Sequence, residues 1–247
     1  MIGMLDEDFR QFKKRNKMMT KGKFIVIDGT DGSGKATQTA LLEKRLKKEG
    51  HRVKKIDFPR YEKNFFGKLI GECLAGDHGD FIALDPRIAS TLYAADRFES
   101  SKDMKKWLAE GYIVLADRYV SSNQIHQGSK ISNLVKRKEF LHWLDKMEYG
   151  VFEIPKPDLI IFLDVPIEIT QKLLKQKDQT VKKAYLKGKK DQAENNRSHL
   201  EKSRANAISI VEKGNKWKKI NCAEGSEIKS KEKIHELVFK EIKKIIR

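Results

Sequence analysis

The chain has 247 residues, of which 39% are hydrophobic and 35% are charged, and its formal net charge is +17. This composition indicates a globular protein of one domain, and it excludes a membrane-spanning protein because no apolar run is long enough to cross a bilayer. Cys73 and Cys222 are too few and too far apart for a disulfide scaffold or a cysteine metal site, so we expect reduced thiols and a cytoplasmic location.

Residues 1–22 come before the first apolar run and are predicted to form a basic N-terminal extension. Asp6, Glu7 and Asp8 argue against a transit peptide, so we interpret this segment as a solvated helix. From residue 23 onward, short apolar runs alternate with amphipathic helical patterns. The predicted strands cover residues 23–28, 52–58, 112–117, 158–165 and 217–221. The predicted helices cover residues 36–50, 65–75, 86–98, 102–109, 133–148, 191–213 and 229–246, with a further helix starting at Pro166.

This alternation predicts an α/β fold in which a parallel sheet is covered by helices on both faces. Ligands of such folds bind at the carboxyl ends of the strands. Three polar motifs fall at these ends: residues 29–37 follow the first strand, 58–61 the second and 117–128 the third. Their convergence predicts a single ligand site, and it is stronger evidence than any one motif.

The first motif, GTDGSGKAT, has the features of a phosphate-binding loop, since it follows an apolar strand and opens an amphipathic helix. Its glycines allow backbone N–H groups to surround phosphate oxygens, and Lys35 is suited to bridge the β- and γ-phosphates. Ala36 stands where the usual pattern has a hydroxyl that ligates magnesium. We therefore predict that Thr37 and Asp117 hold Mg²⁺ largely through water. The predicted ATP-binding residues are Gly29, Thr30, Asp31, Gly32, Ser33, Gly34, Lys35, Ala36 and Thr37.

Arginine and aromatic residues occur together in and near the other two motifs. Phe58 and Arg60 follow the second strand, Tyr93 and Arg97 lie one helical turn apart, and Arg118 follows the third strand. An arginine fork suits phosphate oxygens, and an aromatic face suits a flat base. Structural ion pairs for the arginines, and core packing for Phe58 and Tyr93, are the alternatives to ligand binding.

Six segments together closely resemble the thymidylate kinases, which phosphorylate dTMP to dTDP with ATP. They are GTDGSGKATQT, DFPRYEKNFFGKLI, LYAADRFE, ADRYVSSNQIHQG, PDLIIFLDVP and GKKDQAENN, in the family's order over residues 23 to about 245. The resemblance implies a P-loop nucleoside monophosphate kinase domain over residues 23–247, with a five-stranded parallel sheet and a lid at about 175–190. It also implies ATP and Mg²⁺, dTMP as the acceptor, and a homodimer.

The family's functional residues carry over to matching positions of this chain. Asp31 resembles the carboxylate that contacts the sugar 3′-hydroxyl of dTMP, and the resemblance gives catalytic roles to Asp31, Lys35, Arg97 and Arg118. Phe58 and Tyr93 resemble base-stacking residues, and Ser122 and Gln127 resemble thymine-edge contacts. The predicted dTMP-binding residues are Asp31, Phe58, Arg60, Tyr93, Arg97, Arg118, Ser122, His126 and Gln127.

The chain also departs from the family pattern. Many members carry an arginine just after the loop aspartate or in the lid, whereas this chain has Gly32 and a lid of lysines without arginine. A third family arginine is replaced by Leu173. We hypothesise that a lid lysine supplies the missing charge, the candidates being Lys187, Lys189 and Lys190. His126 replaces an aromatic residue of some members, and either borders the base or has a structural role.

Two alternatives come from other functional classes. One is a different small kinase, which the SSNQIHQG segment disfavours. The other is a nucleotide- or nucleic-acid-binding protein without kinase activity, suggested by the charge of +17. Against it, only 12 of the 52 basic residues are arginines, and basic and aromatic residues do not alternate as in nucleic-acid-reading modules. We therefore expect small-molecule nucleotides as ligands, and neither a nucleic acid nor a membrane as partner.

Overall fold

The structure is a computed structural model that describes residues 21–178, 184–186, 188–189 and 196–246. The strands are β1 (Lys23–Gly29), β2 (Val53–Asp57), β3 (Ile113–Asp117), β4 (Leu159–Asp164), β5 (Trp217–Asn221), β6 (Ala223–Glu224) and β7 (Glu227–Ile228). The first five form one parallel sheet in the order β2-β3-β1-β4-β5, and the last two form an antiparallel ribbon. Because β1 is central, the loop after it opens at the middle of the carboxyl edge.

Helices connect the strands, and polar side chains begin several of them. Asn64 caps the helix Phe65–Leu74 and Asp85 caps the helix Pro86–Glu99, each by accepting a hydrogen bond from a backbone N–H of the first turn, and Pro86 starts the second of these helices. The helices are α1 (Lys35–Lys48), α2 (Phe65–Leu74), α3 (Pro86–Glu99), α4 (Ser101–Ala109), α5 (Leu134–Asp145), α6 (Ile167–Asp178), α7 (Arg197–Lys213) and α8 (Lys231–Ile242). Shorter helical turns cover Val120–Ser122, Asn123–Gln127, Gly128–Lys130, Lys146–Val151 and Ala184–Leu186.

Alternate residues of β1 supply two hydrophobic layers, one on each face of the sheet. Ile25 and Ile27 belong to the layer that contains residues of α1 and α8, whereas Phe24 and Val26 belong to the layer that contains residues of α4, α5 and α7. Both faces of β1 are completely covered, since all four side chains are at most 1% exposed. Covering both faces leaves the carboxyl edge of the sheet as the place where polar side chains converge.

The fold class is confirmed, and each of the five sheet strands lies within one residue of its predicted bounds. The helical turns over 120–130 were not predicted, because this polar stretch shows no regular apolar spacing. None of the described helices combines the length and the apolar character that crossing a membrane requires. Residues 1–20 of the predicted extension and residues 179–183, 187 and 190 of the predicted lid lie outside the described residues, so the division of the chain stays a prediction. The cytoplasmic location also stays a prediction.

Candidate active site

The loop after β1 has the backbone of a phosphate cradle. Gly32 and Gly34 have φ angles of +80° and +86°, a region that disfavours other residues, and a Cβ at Gly32 would lie 2.7 Å from the carbonyl oxygen of Thr170. No side chain caps the first turn of α1, so its N–H groups face the loop. The buried hydroxyls of Thr30 and Ser33 have no hydrogen-bond partner among the described residues. Unused donors at a helix N-terminus are suited to an anion.

Lys35 is held inside this loop. Its Nζ donates to the carbonyl oxygens of Gly29 at 3.0 Å and Thr30 at 2.8 Å, and it lies 4.0 Å from the Asp31 carboxylate. Burial, and secondly the charge of Arg118, lower the pKa of Lys35 to about 8. The ammonium is therefore fixed in position, and its carboxylate partner Asp31 is at the outer limit of an ion pair, so a phosphate oxygen would supply a closer anion.

The lowered pKa of Lys35 predicts proton uptake when a nucleotide binds. A phosphate anion favours the charged lysine, so binding raises its pKa, and at pH 8 about half a proton should be taken up per nucleotide. Affinity for a non-hydrolysable ATP analogue should accordingly fall as the pH rises from 7.5 to 9. Calorimetry in buffers of different ionisation enthalpy measures this uptake. Lys35→Arg keeps the charge without titrating, and the same uptake in that variant would contradict the assignment.

Arg118, which follows β3, reaches the same loop. Its φ of +66° is unusual for a residue with a side chain, and strain of this kind concentrates at functional sites. Its guanidinium forms an ion pair with Asp31 and donates from Nη1 to Ser122 Oγ at 3.4 Å. Burial opposes the charge, but Asp31, Asp28 and Asp117 outweigh burial and raise the pKa of Arg118 above its usual value. The ion pair with Asp31 joins the first and third motifs.

Asp28, at the end of β1, organises the segment that follows β3. This fully buried carboxylate accepts hydrogen bonds from the hydroxyls of Ser121 and Ser122 and from the backbone N–H of Gly29. The hydroxyl of Ser122 donates its hydrogen to the Asp28 carboxylate at 2.9 Å. It can therefore serve a ligand as an acceptor and not as a donor.

Arg97 of α3 is held by a buried ion pair. Its Nε and Nη2 each donate to Glu148 at 2.6 Å, and the two side chains are 2% and 0% exposed. Asn123 also donates to Glu148, at 3.5 Å, and to the carbonyl oxygen of Ser90, at 3.2 Å. The remaining Nη1 of Arg97 lies 3.4 Å from the carbonyl oxygen of Tyr119. All three nitrogens of Arg97 therefore have a protein partner, as the structural alternative predicts, although Arg97 also lines the cavity and Nη1 has a second hydrogen to donate.

These groups line one cavity of about 440 Å³ at the carboxyl edge of the sheet. It contains most of the predicted site residues: Asp31, Gly32, Gly34, Lys35, Ala36, Thr37, Phe58, Tyr93, Arg97, Asp117, Arg118, Ser122, His126 and Gln127. The Gln127 side chain is buried, and its Oε1 has no hydrogen-bond partner among the described residues. Phe58 also packs against Tyr119, with ring centroids 5.6 Å apart, so cavity lining and core packing coexist.

Four predicted residues are not among those that line the cavity. Gly29, Thr30 and Ser33 belong to the loop, and the carbonyl oxygens of Gly29 and Thr30 hold Lys35. Arg60 points elsewhere: its backbone N–H donates to Asp96, and its Nη1 donates to Ser100 Oγ at 3.1 Å. Its assignment to dTMP stays a prediction that the cavity does not support.

A model of the thymidylate kinase family matches residues 27–234. The chain is 34% identical over 165 residues to a probable thymidylate kinase of Pyrobaculum aerophilum, covering 66% of this chain and 75% of the relative. It is 32% identical over 192 residues to a thymidylate kinase of Thermosipho melanesiensis, covering 76% and 88%. The chain belongs to the thymidylate kinase family. The solved thymidylate kinase of Candida albicans shares the fold, with a TM-score of 0.69 and 24% identity over 91% of this chain and 92% of that chain.

Mg²⁺, which the thymidylate kinase family implies, fits the cavity if water completes its shell. Thr37 and Asp117 line the cavity, but the described part of the chain contains no cluster of three side chains able to hold a metal directly. Mg²⁺ commonly keeps several waters and binds one or two carboxylates together with substrate phosphates. Burial raises the pKa of Asp117, and a cation would favour its ionised form. These residues therefore fit the predicted arrangement.

Sequence reasoning missed several residues that shape this thymidylate kinase cavity. Glu148 accepts hydrogen bonds from Arg97, and Asn123 donates to Glu148. His199 of α7 lines the cavity wall. Tyr185 also lines the cavity, and it stacks with Tyr61 of the second motif with ring centroids 3.8 Å apart. Asn123 belongs to the SSNQIHQG segment, so its presence at the site could have been predicted from the sequence. Glu148 lies 51 residues from Arg97, and no local pattern indicates its role.

The lid hypothesis rests mainly on residues outside the described part of the chain. Lys187 and Lys190 are not described, and Lys189 forms an ion pair with Asp77. Arg197 is exposed at the start of α7 and pairs with Glu201 at 2.7 Å. The replacement of the missing family arginine by a lid lysine therefore stays a prediction.

Proposed function

We propose that this chain transfers the γ-phosphoryl group of ATP to dTMP, giving dTDP and ADP, a step of dTTP synthesis. One observation carries the proposal: in a chain of the thymidylate kinase family, Asp31 joins the phosphate loop around Lys35 to Arg118 inside a single cavity. A cavity with a phosphate cradle at one side and an arginine at the other fits a donor nucleotide and an anionic acceptor together.

The two substrates occupy different parts of the cavity in this proposal. The phosphates of ATP lie in the loop of residues 29–37, where the N-terminus of α1 and Lys35 face them. The thymine of dTMP lies between the aromatic lining residues Phe58 and Tyr93. The Oε1 of Gln127, which has no hydrogen-bond partner among the described residues, accepts a hydrogen bond from the thymine N3–H. This last contact would satisfy a buried acceptor that otherwise destabilises the fold.

Catalysis in this arrangement depends on alignment and charge. The acceptor is a phosphate oxygen that is already ionised at pH 7, so the reaction requires no strong general base. Lys35, Arg97 and Arg118 position the phosphates for in-line transfer and neutralise charge in the transition state. Mg²⁺, when bound near Thr37 and Asp117, adds charge neutralisation on the phosphates of ATP.

A substrate panel tests the proposal against its alternatives. ADP release is measured with purified protein, ATP and Mg²⁺, with each of dTMP, dUMP, UMP, CMP, AMP and GMP as acceptor. We expect dTMP to give the highest kcat/KM. A preference for another nucleotide would replace the proposed function with a different monophosphate kinase. Salt-sensitive retention of DNA or RNA without phosphoryl transfer to any acceptor would favour the binding-protein alternative.

We also propose that a second copy of the chain covers an apolar patch formed by Phe65, Phe98, Val151 and Phe152. Phe65, Phe98 and Val151 are 71%, 50% and 69% exposed. The backbone N–H of Phe66 donates to the Glu99 carboxylate at 3.0 Å, which joins the start of α2 to the end of α3. Phe98 packs on Phe152 with ring centroids 5.1 Å apart. Exposed apolar patches of this kind mark interaction surfaces.

Phe98→Glu is therefore expected to convert a homodimer into a monomer, because it places a charge in a desolvated interface. Light scattering coupled to size-exclusion chromatography measures the mass. Leu237→Glu, at a partly exposed position of α8 outside the patch, is the matched control and should leave the mass unchanged. A wild-type protein that runs as a monomer at micromolar concentration contradicts this assignment.

A further inference from the structure

A chain of hydrogen bonds connects Arg118 to α7 through His126. Arg118 Nη1 lies 3.3 Å from His126 Nε2, and His126 Nδ1 lies 3.2 Å from Ser203 Oγ. Ser203 Oγ lies 3.2 Å from Ser129 Oγ, and Ser129 donates to the carbonyl oxygen of His126 at 2.8 Å. Ser203 and Ser129 are buried, and His126 lines the cavity.

The chemistry of the groups fixes the direction of every hydrogen in this chain. A guanidinium can only donate, so His126 Nε2 accepts and the ring hydrogen is assigned to Nδ1. The Nδ1–H then donates to Ser203, Ser203 donates to Ser129, and Ser129 donates to the backbone. From His126 to the backbone each donor has one acceptor, so a single tautomer of His126 satisfies the whole network.

His126 remains neutral in this environment. The groups that face it are Arg118, Lys35 and His199, which oppose a positive charge, and Asp31, which favours one. Burial and then Arg118 lower the pKa of His126 well below its usual value. Its Nε2 lone pair is therefore available to the guanidinium throughout the neutral pH range.

Arg118 has a particular need for such an anchor. Of the described residues that line the cavity, Arg97 and Arg118 are the arginines, and Arg97 commits two of its nitrogens to Glu148. The left-handed backbone at φ +66° fixes the base of the Arg118 side chain, and contacts to the guanidinium are needed to fix its far end. Asp31 holds Nη2, whereas His126 at 3.3 Å and Ser122 at 3.4 Å both hold Nη1.

We propose that His126, oriented by Ser203, is a positioning residue that fixes the guanidinium of Arg118 for phosphoryl transfer. The proposal rests on the proposed function, in which Arg118 contacts the phosphates. It differs from a base-contacting role for His126, because it requires the ring nitrogen as an acceptor and not the ring face. Displacing a catalytic group by about 1 Å can cost about 10²-fold in rate, so a lost anchor should have a measurable effect.

Two substitutions at the same position separate these roles. His126→Phe keeps a flat ring and removes the acceptor, whereas His126→Gln places an amide oxygen near the position of Nε2 and removes the ring. We expect His126→Phe to lower kcat roughly 10- to 100-fold with KM for dTMP within about threefold, and His126→Gln to retain most of kcat. The reverse pattern, with normal kcat in His126→Phe and a raised KM in His126→Gln, would overturn the proposal.

The tautomer gives a test that does not depend on catalysis. The ¹⁵N shifts of the histidine ring in the wild-type protein should report hydrogen on Nδ1, with His126→Gln identifying the signal. Ser203→Ala should shift the tautomer toward Nε2 and lower kcat, whereas Ser198→Ala, on the same helix, should do neither. Hydrogen on Nε2 in the wild type would overturn the proposal. If the wild type fails to phosphorylate dTMP, the proposed function fails, and the tautomer alone then decides whether His126 anchors Arg118.

Discussion

Replacing Arg118 with alanine is expected to lower the rate of dTMP phosphorylation by on the order of 10²–10³-fold, the usual cost of losing one charged transition-state contact. The cavity explains the size of this effect. Arg118 joins the phosphate loop to the segment after β3, and its Nη2 pairs with Asp31. Arg118 lines the cavity, and in the proposed mechanism its remaining guanidinium donors contact the transferring phosphoryl group. Lys35→Ala should have a loss of similar size, since Lys35 is the buried ammonium of the loop.

Steady-state kinetics with dTMP and ATP, together with thermal unfolding, check this expectation. Arg118→Lys keeps the charge without the planar fork and should have intermediate activity. Arg87→Ala is a suitable control, because Arg87 is exposed and packs over Trp143 away from the cavity. Near-wild-type turnover in a folded Arg118→Ala protein would remove Arg118 from the proposed mechanism and leave the lid lysines as the source of charge.

The sequence carried enough information to place the sheet and the phosphate loop. The central strands β1, β3 and β4 are nearly continuous apolar runs because both of their faces are buried. The edge strands β2 and β5 contain exposed lysines, and their buried positions still carry apolar residues. The loop was predictable because its chemistry is local: Gly34, Lys35 and the start of α1 are consecutive. Asp31 and Arg118 are 87 residues apart, yet both follow strands whose carboxyl ends meet, so their convergence was predictable too.

The remaining parts of the site depend on tertiary contacts without a local pattern. Glu148 lies in the irregular helical turn Lys146–Val151, and nothing in its neighbourhood indicates a partner on α3. His126 and Ser203 are separated by 77 residues, and a serine within a helix is normally a surface residue. Arg60 shows the opposite case, since its motif suggested a ligand contact and its side chain turns toward Ser100.

Replacing Glu148 with alanine is expected to lower the free energy of unfolding by about 3–5 kcal/mol, because it leaves the buried guanidinium of Arg97 without its carboxylate. Glu148→Gln should cost less, since the amide oxygen can still accept one hydrogen bond. Urea unfolding followed by circular dichroism measures both. A change below about 1 kcal/mol in Glu148→Ala would mean that water or another group compensates Arg97.

The double variant Arg97→Met, Glu148→Leu separates stability from catalysis at this pair. Replacing a buried ion pair with apolar residues of similar volume is often neutral or stabilising, so this protein should recover most of the stability that Glu148→Ala loses. Its activity should stay low if Arg97 Nη1 contacts the dTMP phosphate, because methionine cannot donate a hydrogen bond. Recovery of both would assign Arg97 and Glu148 to the core alone. Recovery of stability without activity would show that the ion pair serves to hold a substrate-binding arginine in the interior. There the charge of Arg97 acts in a low dielectric, which strengthens its interaction with a phosphate.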